Sequence, residues 1–276
     1  MEVSSMAKTK NWIFLFLLLG LLVLRFPFLI LANYKIIPVS AELVSPIFSG
    51  GTYLLTAILI FLMRDFLSNY NMGLGAVILF LVAPFAALWG EAVSYKFLSY
   101  VQQDLWFRIG VSICLLIALI IAHPKLRRRS AKQILLWILV AIVLGIVTGV
   151  ILGKIGSLQT KERSPASPTI VTFVTAFSIQ LGNAAAMEEP LFRGFLWGLL
   201  RKLHWHEPWI WIFQAALFWL GHIYYLGVFN YSFFIIVPVS ALILGFAAWR
   251  SRSIGTSMIM HGLINSLGDI VAHYTW

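Results

Sequence analysis

Glu188, Glu189 and Arg193 interrupt an apolar run long enough to lie in a membrane, in the segment Ala-Met-Glu-Glu-Pro-Leu-Phe-Arg-Gly. A charge at mid-bilayer costs roughly 2.5–3.5 kcal/mol even on the lenient insertion scale, so three within six residues must be paired or functional. On a helix Glu189 and Arg193 are i,i+4 neighbours and can pair. Glu188 points about 100° away around the helix and has no obvious local partner. His222 closes Phe-Trp-Leu-Gly-His, one helical turn after Phe218. His261 and Asn265 again stand i,i+4 on one face, with Asp269 a turn further on. A carboxylate and an imidazole can take a proton from water, while an imidazole and an amide can donate to a developing oxyanion. The chemistry is hydrolysis of a carbonyl compound. Each group also has a bland alternative: an ion cluster, a hydrogen-bonded core histidine, or an interhelical hydrogen-bond pair.

Depth joins these separate signals. Counted from Arg201, Pro208 and Arg252 as markers of one membrane face, Glu188, His222, His261 and Asn265 lie about 20, 21, 14 and 20 Å in, at 1.5 Å per residue. Three helices bring a carboxylate, two imidazoles and an amide to nearly one level. Scattered structural polar residues have no reason to do so.

The elements that hold them are set by composition. Of 276 residues, 61% are hydrophobic and 11% charged, too few charges to cover a soluble surface. The chain is an integral membrane protein, which excludes a secreted disulfide scaffold, a cytosolic nucleotide-binding enzyme and a nucleic-acid binder. The net charge of +10 then reflects loop orientation rather than a polyanionic partner. Apolar runs near 12–33, 47–63, 72–95, 105–122, 134–153, 169–200, 208–226, 232–249 and 254–272 lack strand alternation. They predict an all-α, polytopic transmembrane bundle of about eight or nine spans. The 12–33 run is too long for a signal-peptide h-region and is retained as a span.

A polar linker at 154–168 separates N-terminal accessory helices, 1–153, from a C-terminal core, 169–276. In the N-terminal part Arg25, Glu91 and Arg108 read as snorkelling ends or buried structural pairs. The 169–203 stretch is longer than a bilayer and is expected to tilt strongly or break near Gly182-Asn183. Cys114, the single cysteine, reads as a small core residue. With nine spans and the N-terminus inside, inner segments hold Lys8, Lys10, Arg64, Lys125, Arg127, Arg128, Arg129, Lys132, Arg201, Lys202, Arg250 and Arg252. Outer ones hold Lys35, Lys96, Lys154, Lys161 and Arg163. Twelve against five puts the N-terminus in the cytoplasm and 154–168 outside.

Glu-Glu-x-x-x-Arg at Glu188–Arg193, Phe-x-x-x-His at Phe218–His222 and His-x-x-x-Asn at His261–Asn265 resemble the three motifs of the CPBP family. Its members include CAAX prenyl endopeptidases and bacteriocin-processing or self-immunity proteins. The resemblance covers about 169–270. It implies that Glu188 and His222 activate water, that His261 and Asn265 form the oxyanion hole, and that Glu189 and Arg193 are an orienting pair, with Phe218 supporting. It further implies an intramembrane protease acting on a membrane-associated peptide or protein, without metal or cofactor; the substrate stays open between a prenylated CAAX protein and a membrane-bound peptide of a prokaryotic cell membrane. A zinc protease would use similar residues, but the chain lacks His-Glu-x-x-His. A serine protease lacks its motif at this depth. A non-catalytic immunity or scaffold protein could keep the pocket, and a proton-coupled transporter would more often repeat broken helices in both halves.

Overall fold

Backbone groups in lipid must be paired within their own segment, and the apolar runs accordingly fold as helices. The computed structural model describes residues 2–95, 103–124, 126, 130–160, 164 and 167–274. Among these the chain forms α1 (Lys10–Asn33), α2 (Glu42–Leu62), α3 (Leu74–Ser94), α4 (Gln103–Ala122), α5 (Ala131–Gly156), α6 (Ile170–Lys202) and α8 (Ser232–Ser251). The two others are α7 (Glu207–Leu220) and α9 (Ile254–His273). The all-α polytopic bundle stands. Among the described residues, seven helices are long and apolar enough to cross a membrane by length and composition alone. Expected over 208–226, α7 stops after 14 residues, about 21 Å, and the chain continues through turns to Ser232. Helix α9 has the length but carries His261, Asn265 and Asp269.

Helix α6 runs unbroken for 33 residues, so no break occurs. The irregularity expected at Gly182-Asn183 is a π-helical turn, Leu181–Ala185. A second follows over Pro190–Leu196, where Pro190 has no N–H to give the preceding turn. Wide turns of this kind re-aim side chains and recur at functional sites. Glu188 and Glu189 sit between the two.

Close packing fixes the neighbours. Gly145, Gly149 and Gly153 form a stripe on α5 against α9. A Cβ on them would lie 2.9 Å from Leu263, 2.9 Å from Leu267 and 2.7 Å from Val271, so only glycine permits this approach. Gly182 lies equally tight on Ala83 and Ala87 of α3. The main buried cluster draws on both sides of 154–168, joining Phe14, Tyr53 and Phe80 to Phe192, Trp197 and Phe218. Cys114 is exposed on the outer surface of α4 and not in the core.

The two ends of the bundle differ. At one, Lys202 reaches Asn11, Arg201 reaches the Asn69 carbonyl, and Arg201 and Arg252 both hold Glu207 at 2.7 Å. Partial burial pushes the Glu207 carboxyl up, but hydrogen bonds from Arg201, Trp197 and Arg252 outweigh it and hold the group below the usual carboxylate range. At the other end Ser164 donates to the His273 carbonyl at 2.7 Å, and Gln159 bonds Ser232 and the Tyr231 backbone. This grouping is the one the loop charges predict. Lys96, Lys125, Arg127, Arg128, Arg129, Lys161 and Arg163 lie outside the described residues.

Candidate active site

Between its two π-turns α6 presents Glu188 to a cavity of about 1240 Å³ and turns Glu189 inward. The Glu188 side chain is 12% exposed and that of Glu189 0%. The absence of a local partner for Glu188 is made good from far away in sequence. Arg25, on α1, places Nη1 2.8 Å from Glu188 Oε1 and Nη2 2.9 Å from His222 Nε2. A π-turn over Leu24–Phe28, with Pro27 inside it, lies at this point of α1.

His222 stands just past the end of α7, not within the helix, and its Nδ1 lies 2.8 Å from the Phe218 carbonyl. A carbonyl can only accept, so Nδ1 carries the proton and Nε2 presents its lone pair. That atom is 3.8 Å from Glu188 Oε1. On the other side of the carboxylate, His261 Nε2 lies 3.8 Å from Glu188 Oε2, while its Nδ1 donates to Glu189 Oε1 at 2.8 Å. Glu188 is therefore flanked by two imidazoles, each oriented from behind by a different acceptor.

Glu189 does more than pair with Arg193. Its Oε1 takes Arg193 Nη1 at 3.3 Å as well as His261. Arg193 is fully buried, donates to the Ala241 carbonyl and lies 4.3 Å from the centre of the Phe218 ring. Phe218 thus separates Arg193 from the histidines, with its centroid 4.7 Å from His222 and 6.0 Å from His261. Asn265 lines the same cavity, but its Nδ2 donates to Gln180 Oε1 at 3.1 Å, and Gln180 in turn donates to Asp269. An amide nitrogen has two N–H groups, so one remains available for a ligand. All seven residues singled out by sequence meet here.

Arg25 and Gln180 are the additions. Arg25 is neither a snorkelling end nor an isolated structural pair. It lies eight residues inside Asn33, about 12 Å along the helix. Gln180 gave no signal beyond its place two turns before Glu188. Glu91 and Arg108 keep their structural reading. Arg108 bonds Asp104, the Gly182 carbonyl and Asn183, and Asn183 donates to Glu91.

Among the described residues, no three His, Cys, Asp or Glu side chains converge as a metal ion requires. The Arg25 guanidinium itself stands between Glu188 and His222, where its positive charge would oppose a cation. No curated protein and no solved structure matches the chain. A family model does match, over residues 168–267, leaving α1 and Arg25 outside it. The segment that carries Glu188, His222, His261 and Asn265 matches the Rce1-like family of type II CAAX prenyl endopeptidases.

Proposed function

We propose that this multi-pass membrane protein is an intramembrane endopeptidase of a prokaryotic cell membrane, hydrolysing a peptide bond of a membrane-associated protein or peptide. The matched family indicates peptidase activity of the CAAX type in general. The finer assignment rests on one observation. Both Glu188 oxygens face an imidazole Nε2 at 3.8 Å, beside a cavity that also receives Asn265. That spacing exceeds a direct hydrogen bond and lets one water bond both groups.

Glu188 takes a proton from this water as its oxygen attacks the scissile carbonyl, and His222 Nε2 becomes a second acceptor once Arg25 Nη2, which donates to it at 2.9 Å, turns its N–H away. The carbonyl π-electrons move to oxygen, and the oxyanion receives hydrogen bonds from His261 Nε2–H and the second Asn265 N–H. His261 already donates Nδ1–H to Glu189, so donation from Nε2 requires the imidazolium, whose charge faces the developing oxyanion. Collapse of the tetrahedral intermediate breaks the C–N bond, and the proton held by Glu188 or His222 passes to the leaving amine. Arg25 is a positioning residue that holds Glu188 and His222 in register. The assignment of 169–276 as catalytic core and 1–153 as accessory then carries one qualification, because α1 supplies Arg25.

Comparative terminal proteomics tests the reading, using membranes that hold wild-type protein or Glu188→Ala. A peptide whose terminus changes between the two identifies the substrate. Identical termini at equal protein levels would favour a non-catalytic immunity or scaffold role.

A further inference from the structure

We propose that the cavity admits its substrate from the extracytoplasmic face, so that the substrate is a peptide segment presented at the outer leaflet. The proposal rests on the peptidase reading for the word substrate, but its observations are separate.

Exposure follows one direction on three helices. Along the α9 stripe Ser257 is 0% exposed and His261 4%, Asn265 is half-buried, and Asp269 and His273 are exposed. On α1, Leu18, Leu21 and Arg25 are buried and Asn33 is exposed. On α6, Arg193 and Glu189 are sealed, whereas Ala184 and Gln180, further from the Arg201 end, are partly open. All three gradients open toward the end that holds Gln159, Thr160 and His273, which also line the cavity.

The opposite end is closed below the site. Phe14, Tyr70 and Phe195 pack with centroids 5.3–6.2 Å apart, and Phe192 and Trp197 beside them are fully buried. No residue of the 63–73 or 198–209 segments lines the cavity.

Charge tells the two ends apart. Among the described residues, the closed end holds Lys10, Arg64, Lys132, Arg201, Lys202, Arg250 and Arg252, and the open end Lys35 and Lys154. An excess of Lys and Arg marks the cytoplasmic side. The turns between α7 and α8 add a second argument. Tyr224 and Tyr225, in a single 3-10 turn, and Phe229, in the non-helical stretch after it, line the cavity. Such backbone is tolerated at membrane depth only when buried in protein or bordering a water-filled space. The cavity, about 1240 Å³, exceeds the roughly 300–1,000 Å³ of a small-molecule pocket, as a bound stretch of polypeptide requires.

Sided thiol labelling tests this without depending on turnover. In a Cys114→Ala background, single cysteines replace Ala184 beside Glu188, Thr160 at the mouth and Ser68 at the closed end. Intact cells are treated with a charged, impermeant maleimide, and folding is checked by size-exclusion profile. Ala184→Cys and Thr160→Cys should label in intact cells, and Ser68→Cys only after permeabilisation. Should Ala184→Cys not fold, Ser240→Cys reads the same cavity. A cavity cysteine that labels only after permeabilisation overturns the proposal, whatever Glu188→Gln does to turnover. Full turnover by Glu188→Gln would instead remove the peptidase mechanism and leave the side of access standing.

Discussion

Two buried ion networks meet α6, one at its first π-turn and one just past it, and they are built differently. In the first, Arg108 spends its donors on Asp104, the Gly182 carbonyl and Asn183, and Asn183 is held by Glu91. Among these groups the charged ends lie within packed protein, and the network clamps the π-turn to α3 and α4. In the second, Glu188 has one oxygen on Arg25 and both oxygens near imidazole nitrogens at distances too long for direct bonds, beside an open cavity. Buried charge alone therefore does not mark a reactive centre. What marks it is a charge oriented from behind, incompletely bonded in front, and reachable by water.

Several substitutions would break or sharpen this contrast. The largest stability effects belong to sealed charges. Arg108→Ala leaves Asp104 buried and unpaired, and Glu189→Gln removes the counter-charge of a fully buried Arg193. Each should cost about 3–5 kcal/mol by thermal or denaturant unfolding in detergent. Glu188→Gln, partly open to the cavity, should cost less. The reverse order between the two glutamates would mean their roles are exchanged.

Asn265→Ala comes next. Loss of one oxyanion donor lowers kcat by a factor of roughly 100 to 1,000, about 2.7–4 kcal/mol, with KM little changed. An effect confined to KM would return Asn265 to a hydrogen-bond partner of Gln180.

Arg25→Ala removes two charged hydrogen bonds, each worth about 1.5–3 kcal/mol. Arg25→Lys keeps the charge but not the planar fork. It should recover part of the lost kcat while binding substrate as wild type does. No recovery, with equal loss of thermal stability in both variants, would make Arg25 a packing residue only.

The smallest effect lies at the end of the bundle that holds Arg201 and Arg252. Glu207 is held below its ordinary range in the folded protein, so its contribution is present above the unfolded value and disappears as pH falls through the folded one. Wild type should exceed Glu207→Gln in stability at pH 7 by about 0.2–1 kcal/mol, the scale of partly exposed ion pairs. The gap should close below about pH 4. A constant gap across that range would show that the carboxylate charge is not involved.

Much of the site was legible because helical spacing is exact enough to carry it. The i,i+4 pairs Glu189–Arg193 and His261–Asn265 and the shared depth of Glu188 and His222 follow from rise and turn alone. The helices were legible for the same reason. Arg25 was not, because a sequence gives register along a helix but not the neighbour its side chain meets across the bundle. Its depth was the available signal, since a side chain so far from the helix end cannot reach water by snorkelling. The early stop of α7 was hidden too: Gly221-His222-Ile-Tyr-Tyr-Leu is apolar enough to read as membrane helix, and tertiary contact with Arg25 and the cavity decides otherwise. The unbroken path of α6 reflects a choice that spacing cannot express, a π-turn in place of a break.

The central claim is that Glu188, and not the sealed Glu189 beside it, activates the attacking water. The most direct measurement is single-turnover cleavage of the identified membrane peptide by purified, folded wild-type and Glu188→Gln protein in the same detergent. A general base in this position predicts a fall of roughly 100- to 10,000-fold, with substrate binding retained. Cleavage by Glu188→Gln at the wild-type rate would contradict the account.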